Sequence, residues 1–394
     1  MPRAVSRPAR AHRALFIHMR NPSLDGRRPP TTLQHDWNLS SIFCAWNWRA
    51  LFLTGFIMSL PPLSRRGFLG GAAALGAAAI APALSSRVWA ADRYPSRPIR
   101  YVCPYPPGGT NDLVSRIISR QLSEKLGVSF VVENRGGAGG TVGTSSVARA
   151  QPDGYTLLNA SSGNLSSAPQ IIGTTYDPLQ DFVPVGFLGH VRFVFATNPA
   201  LPVKTLEEFI QYARAHPGEI NYGTAGNGTG GHIAGEYLKM RTGIDIVHVP
   251  YRGSAAALTD AIAGRVQLVL DPLAAQYVRS GELRGLAFSG ATTSPDLPGV
   301  PTIDAAGIPD WKATNFFLAA VARGTPQPIV ETLSDAILAV GREPAVIEQL
   351  RTLGVEIQPN DRATTLALLR SEIDVNDQVI KAGNLLAGRQ TSAG

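Results

Sequence analysis

The feature that most constrains the fold is a short glycine-rich segment at residues 105–112, with the sequence YPPGGTND. Residues 99–103 before it form an apolar run typical of a buried strand, and residues 113–126 after it carry leucine and isoleucine at helical spacing. The two glycines permit a tight turn, and Thr110 or Asn111 is expected to cap the helix. A helix N-terminus that opens from such a turn is suited to bind carboxylate or phosphate. An ordinary turn without a ligand would show the same pattern, so both interpretations stay open at this point.

The same order of strand, loop and helix recurs along the chain. The predicted strands lie at residues 99–103, 128–133, 155–159, 183–188, 193–197, 221–223, 246–249, 266–270, 283–288 and 316–321. The predicted helices lie at residues 113–126, 142–150, 206–215, 232–241, 255–263, 327–340, 344–353 and 363–382. A polar loop is expected at residues 160–167, and Thr205 is expected to cap its helix. This alternation predicts an α/β fold with mainly parallel sheets and with ligand groups at the carboxyl ends of the strands.

The N-terminal part is expected to direct export rather than to join the fold. Residues 64–69 read SRRGFL, a twin-arginine pattern, and a segment of small apolar residues follows at 69–83. We therefore predict a twin-arginine signal peptide at residues 58–91, with cleavage near Ala90 or Ala91 and a soluble periplasmic product. Residues 1–57 are interpreted as an upstream mis-start or leader.

Exclusion of this part reverses the charge balance. The whole chain has 36 Lys and Arg against 29 Asp and Glu, a net charge of +7. Residues 1–91 contain 11 arginines and 2 aspartates, so the remainder has 36 − 11 = 25 basic and 29 − 2 = 27 acidic residues, a net charge of −2. The basic balance belongs to the leader, and we expect no nucleic-acid partner.

The remainder of the sequence shows no familiar catalytic motif. It has no G-x-S-x-G, no H-E-x-x-H and no C-x-x-C pattern. Cys103 is its only cysteine and is interpreted as a small buried residue. Its histidines are too scattered to predict a metal site: His190, His216, His232 and His248.

A second glycine-rich segment at residues 226–231, GNGTGG, has the spacing of a dinucleotide fingerprint. That interpretation requires an acidic residue at the end of the following strand, but Asp245 begins this strand and residues 249–251 read VPY. The alternatives are a second small-anion loop that matches the first, or a loop without a ligand. The dinucleotide interpretation keeps one competing function open, an exported oxidoreductase that uses a dinucleotide or flavin.

Single polar residues allow two interpretations each. Arg252 could pair with an anionic ligand or with an acidic neighbour, and Asp271 could accept from a ligand amine or hydroxyl or could cap a helix that contains Pro272. His232 is expected to be a cap or packing residue, and Asp112 is expected to stabilise the helix dipole.

Six motifs together resemble the substrate-binding proteins of tripartite tricarboxylate transporters, also called Bug receptors. They lie in the same order as in that family, at residues 105–112, 134–140, 148–158, 223–236, 249–253 and 298–307. The resemblance covers residues 94–390 and implies a fold of the periplasmic-binding-protein type II-like class, two α/β lobes on a hinge (Venus flytrap). The implied first lobe comprises residues 92–193 plus 313–394, and the second comprises residues 194–312.

The resemblance also implies a function. The protein would bind a small carboxylate-containing metabolite, use no cofactor, metal or catalytic residue, act as a monomer, and deliver its ligand to membrane permease subunits or to a sensor. Family members hold the carboxylate mainly with loop backbone groups and waters. Carried onto this chain, the first-lobe contacts would be Pro107, Gly108, Gly109, Thr110, Ser161, Ser162, Gly163 and Asn164. The second-lobe contacts would be Thr224, Ala225, Gly226, Thr229 and Asp271. The chain departs from the family at Arg252, where lysine is common, and at Ala255 and Ala256, where the family turn contains proline.

Overall fold

The structure is a computed structural model that describes residues 94–358 and 360–386. The predicted leader at 1–57 and the predicted signal peptide at 58–91 lie outside the described residues. All described residues belong to one compact unit of the chain.

Strands and helices alternate through most of this unit. The strands are β1 Ile99–Cys103, β2 Phe130–Asn134, β3 Thr156–Ser161, β4 Phe182–Val191, β5 Val194–Thr197, β6 Ile220–Thr224, β7 Ile246–Pro250, β8 Leu268–Asp271, β9 Arg284–Phe288, β10 Phe316–Ala322 and β11 Val355–Glu356. The α-helices are α1 Thr110–Leu126, α2 Thr141–Ala148, α3 Ala168–Ile172, α4 Leu206–Ala215, α5 Gly230–Thr242, α6 Ser254–Ile262, α7 Ala274–Arg279, α8 Gln327–Val340, α9 Pro344–Thr352 and α10 Arg362–Ala382. The predicted bounds of β1, α4 and α8 agree with these, and Thr205 caps α4 as predicted by accepting a hydrogen bond from Glu208 N.

Two sheets form two α/β lobes, as the predicted fold class requires. The first sheet has six strands in the order β11-β4-β10-β3-β1-β2, and the second has five in the order β7-β6-β8-β5-β9. The expectation of mainly parallel sheets is wrong, because β10 runs antiparallel to β3 and β4 while β5 runs antiparallel to β8 and β9. Strands β5 and β10 each follow a passage between the sheets. At these strands the chain enters the new sheet and runs opposite to the strands of the βαβ units there.

The two passages between the sheets lie side by side. The outward passage, between β4 and β5, consists of Arg192 and Phe193, and the return passage ends just before β10. Val191 N donates to Asn315 O at 2.8 Å, and Phe193 N donates to Ser289 Oγ at 2.8 Å. The first of these bonds joins the two passages, and the second anchors the outward passage to the end of β9.

Two local predictions near the cleft are wrong. Helix α1 begins at Thr110 with Gly109 as its N-cap, and no side chain caps it. The expected cap by Thr110 or Asn111 fails because both residues already lie within the helix. The loop expected at residues 160–167 is largely a π-helical turn, Gly163–Ser167, because the Asn164 side chain accepts from Ser161 N at 2.6 Å and so folds the chain back on itself.

The apolar residues form cores in each lobe, and one of the smaller clusters joins the lobes. In this joining cluster, Ile171, Val379 and Ile380 of the first lobe pack against Ile233 and Tyr237 of the second. Burial of this apolar surface stabilises the contact between α10 and α5. None of the helices between residues 94 and 386 is long and apolar enough to cross a bilayer.

Two stacked histidines support the glycine-rich loop of the second lobe. The rings of His232 and His248 lie 4.0 Å apart, centroid to centroid. His232 Nδ1 accepts from Gly228 N at 3.2 Å, and His248 Nε2 is 2.7 Å from Thr224 Oγ1. Burial lowers the pKa of His232 to about 4 and that of His248 to about 3, so both rings are neutral near pH 7. His232 is therefore a packing residue, as predicted.

This histidine pair should make the fold sensitive to acid. The unfolded chain takes up protons near pH 6.5 while the folded chain resists until about pH 4, so the free energy of unfolding should decrease as pH falls through this window. Each unit by which a pKa is lowered corresponds to about 1.4 kcal/mol. We expect His232→Asn, which retains an acceptor for Gly228 N but does not titrate, to flatten this dependence in urea titrations at pH 7, 6, 5 and 4. The control Thr332→Val on α8, which removes no titratable group, should keep the wild-type slope, and an unchanged slope in His232→Asn would contradict the assignment.

Candidate functional site

A cleft between the lobes, here called the inner cavity, is the candidate site. It encloses about 550 Å³ of space, a figure that includes its open mouth. The first lobe contributes Tyr105, Pro106, Gly109, Thr110, Asn111 and Ser161. The second lobe contributes residues that include Ala225, Thr229, Gly230, Ser254, Leu270 and Asp271. Phe193 and Asn315 of the two passages lie between them.

Three helices begin at the wall of this cavity. Their first residues, Thr110 of α1, Gly230 of α5 and Ser254 of α6, all line it. The first backbone N–H groups of a helix have no intrahelical partner, and the helix dipole makes this end positive. The first bonds within α1 and α5 run from Leu113 N to Gly109 O and from Ile233 N to Thr229 O, so the preceding N–H groups lie outside this pattern. The wall of the cavity therefore contains the positive ends of three helices, whose first N–H groups are neutral hydrogen-bond donors.

The Thr110 side chain adds a further polar group to this set. The residue is 5% exposed, and its Oγ1 atom has no hydrogen-bond partner among the described residues. A buried hydroxyl without a partner is unfavourable. A ligand oxygen in the inner cavity would remove that cost.

The cavity wall contains almost no ionisable groups. Among the described lining residues there is no lysine, arginine or histidine, and Asp271 is the one carboxyl. Burial raises the pKa of Asp271 to about 6, although hydrogen bonds from Ser254 and from Leu273 N oppose this shift. Burial also raises the pKa of Tyr105, to about 12, and its hydroxyl lies 3.1 Å from Ser161 Oγ.

A hydrogen-bond network fixes the first glycine-rich loop. Asp112 Oδ2 accepts from Gly108 N at 2.9 Å, while its Oδ1 accepts from Asn134 Nδ2 at 2.8 Å. Gly108 has φ +85°, a conformation that favours glycine. Cys103 is buried and contacts Asn111 Oδ1 at 3.0 Å, as expected of a small structural residue. Asp112 thus lies in the first turn of α1, as predicted, and also holds the loop before it.

The two lobes contact each other around the cavity. Ser167 Oγ donates to Gly228 O at 2.7 Å across the cleft. A Cβ atom on Gly139 would lie 2.5 Å from Asn227 O, so these two loops meet at backbone distance. The lobes are therefore in a closed arrangement. A neighbouring outer pocket is lined partly by Tyr251 and Arg252, and it shares Pro106 and Gly253 with the inner cavity.

The structure places the predicted ligand-binding residues in three groups. Those that line the inner cavity are Gly109, Thr110, Ser161, Ala225, Thr229 and Asp271. Pro107 and Gly226 line the outer pocket. The residues that line neither space are Gly108, Ser162, Gly163, Asn164 and Thr224. Members of this third group hold others in place, since Ser162 Oγ donates to Asn315 Oδ1 and Asn164 accepts from the Ser161 backbone.

Several residues that line the inner cavity were not predicted from the sequence. Ser254 had a local signal, since it directly follows the motif at residues 249–253 and starts a helix. Asn315 had a weaker one, a polar residue immediately before the all-apolar β10. Asn315 reaches the cavity only because the return passage lies next to β4, a long-range contact without a sequence pattern.

The structure also bears on the competing oxidoreductase. Strand β7 ends at Pro250 and carries no acidic residue at its carboxyl end, while Asp245 precedes the strand. The ribose contact of a dinucleotide fingerprint is thus missing from its usual position. Within residues 94–358 and 360–386, no group of three or more His, Cys, Asp or Glu side chains is arranged to hold a metal ion.

Comparison with known proteins identifies the family. The family model of the tripartite tricarboxylate transporter family receptor (TctC) matches residues 114–385. Protein BugT of Bordetella pertussis is 37% identical over 272 residues, which span 67% of this chain and 82% of BugT.

Solved structures resemble the fold as well as the sequence. Rpa4515 of R. palustris with adipate is 34% identical, with a TM-score of 0.70 over 74% of this chain and 98% of that one. MatC (Rpa3494) from Rhodopseudomonas palustris with bound malate is 30% identical, with a TM-score of 0.69 over 73% of this chain and all of that one. A structure described as a periplasmic transporter is 36% identical, with a TM-score of 0.71 over 74% of this chain and 99% of that one. The resemblance inferred from the six motifs is confirmed: this chain belongs to the TctC family of tripartite tricarboxylate transporter receptors.

Proposed function

We propose that this protein is a periplasmic solute-binding receptor that captures a small carboxylate between its lobes and delivers it to the permease subunits of a tripartite tricarboxylate-type transporter or to a sensor. One observation carries the proposal: the N-termini of α1, α5 and α6 converge on a cavity whose described lining has no basic side chain. Helix N-termini bind anions through backbone N–H groups. The site is thus suited to an anion small enough to lie between the lobes.

The energetics are compatible with binding of this kind. Hydrogen bonds to a charged group contribute about 1.5–3 kcal/mol each, and association costs about 4–15 kcal/mol. A dissociation constant of 1 μM corresponds to roughly −8 kcal/mol. Several charge-assisted bonds are therefore needed, and closure of the lobes must exclude water from them. The hydrogen bond from Ser167 Oγ to Gly228 O, which joins the lobes beside the cleft, supports such closure.

The related structures support the ligand class. Rpa4515 is described with adipate and MatC with malate, both of which are dicarboxylates. The remaining features of the proposal come from the sequence: export by the twin-arginine signal at residues 58–91, cleavage near Ala90 or Ala91, a monomeric state and no catalytic activity. The backbone of Pro107 and Gly108 and the 161–164 turn are proposed to contact or support the ligand.

A ligand screen tests the proposed function directly. We expect at least one carboxylate among dicarboxylates, tricarboxylates, acidic amino acids and aromatic acids to raise the unfolding midpoint of residues 92–394 by several degrees. At a ligand concentration 100-fold above Kd, the added stability is about 2.7 kcal/mol. Mass spectrometry of the purified protein should also detect a bound carboxylate. Absence of both signals, or a bound flavin with nicotinamide-dependent turnover, would contradict the proposal.

The space beside Gly109 should be essential for binding. A Cβ atom on Gly109 would lie 3.7 Å from Ser254 Oγ, an ordinary contact, and the φ of −87° suits any residue. Gly109→Ala should therefore bind ligand with affinity reduced by no more than about tenfold. Gly109→Val places an isopropyl group between the lobes and should abolish binding in calorimetric titrations while its circular dichroism spectrum stays unchanged. Wild-type affinity in Gly109→Val would exclude this loop as a ligand contact.

The Thr110 hydroxyl should act on binding rather than on stability. Thr110→Val keeps the shape of the side chain and removes an oxygen that has no partner among the described residues. We expect a loss of affinity of roughly ten- to a hundredfold, equal to one hydrogen bond with a charged group. The ligand-free protein should be as stable as the wild type or slightly more so in urea titrations. Thr332→Val, on the exposed face of α8, is the matched control and should leave affinity unchanged.

A further inference from the structure

This inference rests on the proposed carboxylate-binding function and concerns which carboxylates the inner cavity accepts. We propose that Asp271 selects for a ligand that carries a hydrogen-bond donor, a hydroxyl or an ammonium group, beside the carboxylate held by the helix N-termini. The competing role for Asp271 is that of a purely structural residue, because Oδ1 accepts from Leu273 N at 2.9 Å.

The polar groups of the cavity comprise several hydrogen-bond donors from the backbone but only one carboxylate among the described lining residues. The backbone groups at the starts of α1, α5 and α6 are donors, and each suits an acceptor on the ligand. Asp271, at the end of β8, is the one carboxyl among the described lining residues. When ionised, a carboxylate only accepts hydrogen bonds and offers about four lone-pair sites. The Leu273 N–H and the Ser254 hydroxyl leave part of this capacity for a ligand.

The charge of Asp271 has no partner of opposite charge among the described residues that line the cavity. Its side chain is 4% exposed, and burial raises its pKa to about 6, so it remains largely ionised at pH 7. No guanidinium, ammonium or imidazole group lines the cavity among the described residues to compensate this charge. A buried carboxylate without a cation is unfavourable. A ligand donor would satisfy it, while a second carboxylate placed against it would be repelled.

Ser254 connects Asp271 with the start of α1. Ser254, which interacts with Asp271, starts α6, and its Oγ lies 3.7 Å from where a Cβ atom of Gly109 would be. Gly109 is the N-cap of α1. Ser254 thus lies close to the N-terminus of α1, and Asp271 lines the same cavity as both. A carboxylate bound at α1 would present the substituent on its neighbouring carbon to Asp271, as 2-hydroxy and 2-amino acids can.

Asp271→Asn is a matched test of this role. Asn Oδ1 can still accept from Leu273 N, so the turn after β8 is retained, whereas the amide N–H₂ replaces the acceptor that faces the ligand. The probes are three sets of acids that differ only at C2: propionate, lactate and alanine; succinate, malate and aspartate; glutarate, 2-hydroxyglutarate and glutamate. Affinities are measured by isothermal titration calorimetry at pH 7 on the mature chain.

For the wild type, we expect the hydroxy or amino acid to bind at least tenfold more tightly than the parent acid within at least one set. Asp271→Asn should lose this preference and bind the donor-bearing acid at least tenfold more weakly. The better of the two donors in the wild type then distinguishes a hydroxy acid from an amino acid. Asp377→Asn, which removes an exposed carboxylate that pairs with Lys381 on α10, should keep the wild-type preference.

Two results would overturn the inference without touching the proposed function. One is a wild type that binds the parent acid as tightly as its substituted forms. The other is an Asp271→Asn variant with unchanged affinities, as expected if Asp271 were protonated or structural only. Failure of every acid to bind the folded wild type, in this panel and in the wider carboxylate screen, would instead overturn the proposed function itself.

Discussion

The structure depends on the hydrogen bonds made where the chain passes between the lobes. Val191 and Asn315 pair through their backbones, and Phe193 pairs with Ser289. Because the outward passage is only two residues long, these bonds determine how the sheets are placed relative to each other. The sheets are mixed because β5 and β10, the strands that enter from the other lobe, run antiparallel to their neighbours. The loops at the strand ends face each other as a result.

The electrostatics of the cleft follow from burial rather than from formal charge. A site for an anion could have used lysine or arginine, but the described lining of the inner cavity contains neither. Backbone N–H groups carry partial positive charge and are fixed in place by their helices, so little reorganisation is needed when a ligand binds. The same desolvation raises the pKa of Asp271 and lowers that of His232. Asp271 is buried in the wall of the cavity, and His232 is buried in the helix α5 that begins there.

Much of the fold could be predicted from local patterns, whereas much of the site could not. Strand β1 and helix α8 have strong local signals, and the order of six motifs was enough to identify the family. The cap of α1 was predicted wrongly because Thr110 is already the first helical residue and Gly109, which has no side chain, is the N-cap. Asn315 and Ser254 were missed because they reach the cavity through contacts between segments far apart in sequence. Such contacts leave no trace in spacing or composition.

The use of helix N-termini as the donor set has a consequence for how such a receptor can change. Backbone N–H groups are present whatever the side chain, so a point substitution other than one to proline does not delete them. Mutations in the wall of the cleft can therefore alter the shape and polarity around a ligand while the capacity to hold its anionic end persists. A protein built in this way can acquire a new ligand through small changes, because its general affinity for anions and its choice among them are carried by different parts of the chain.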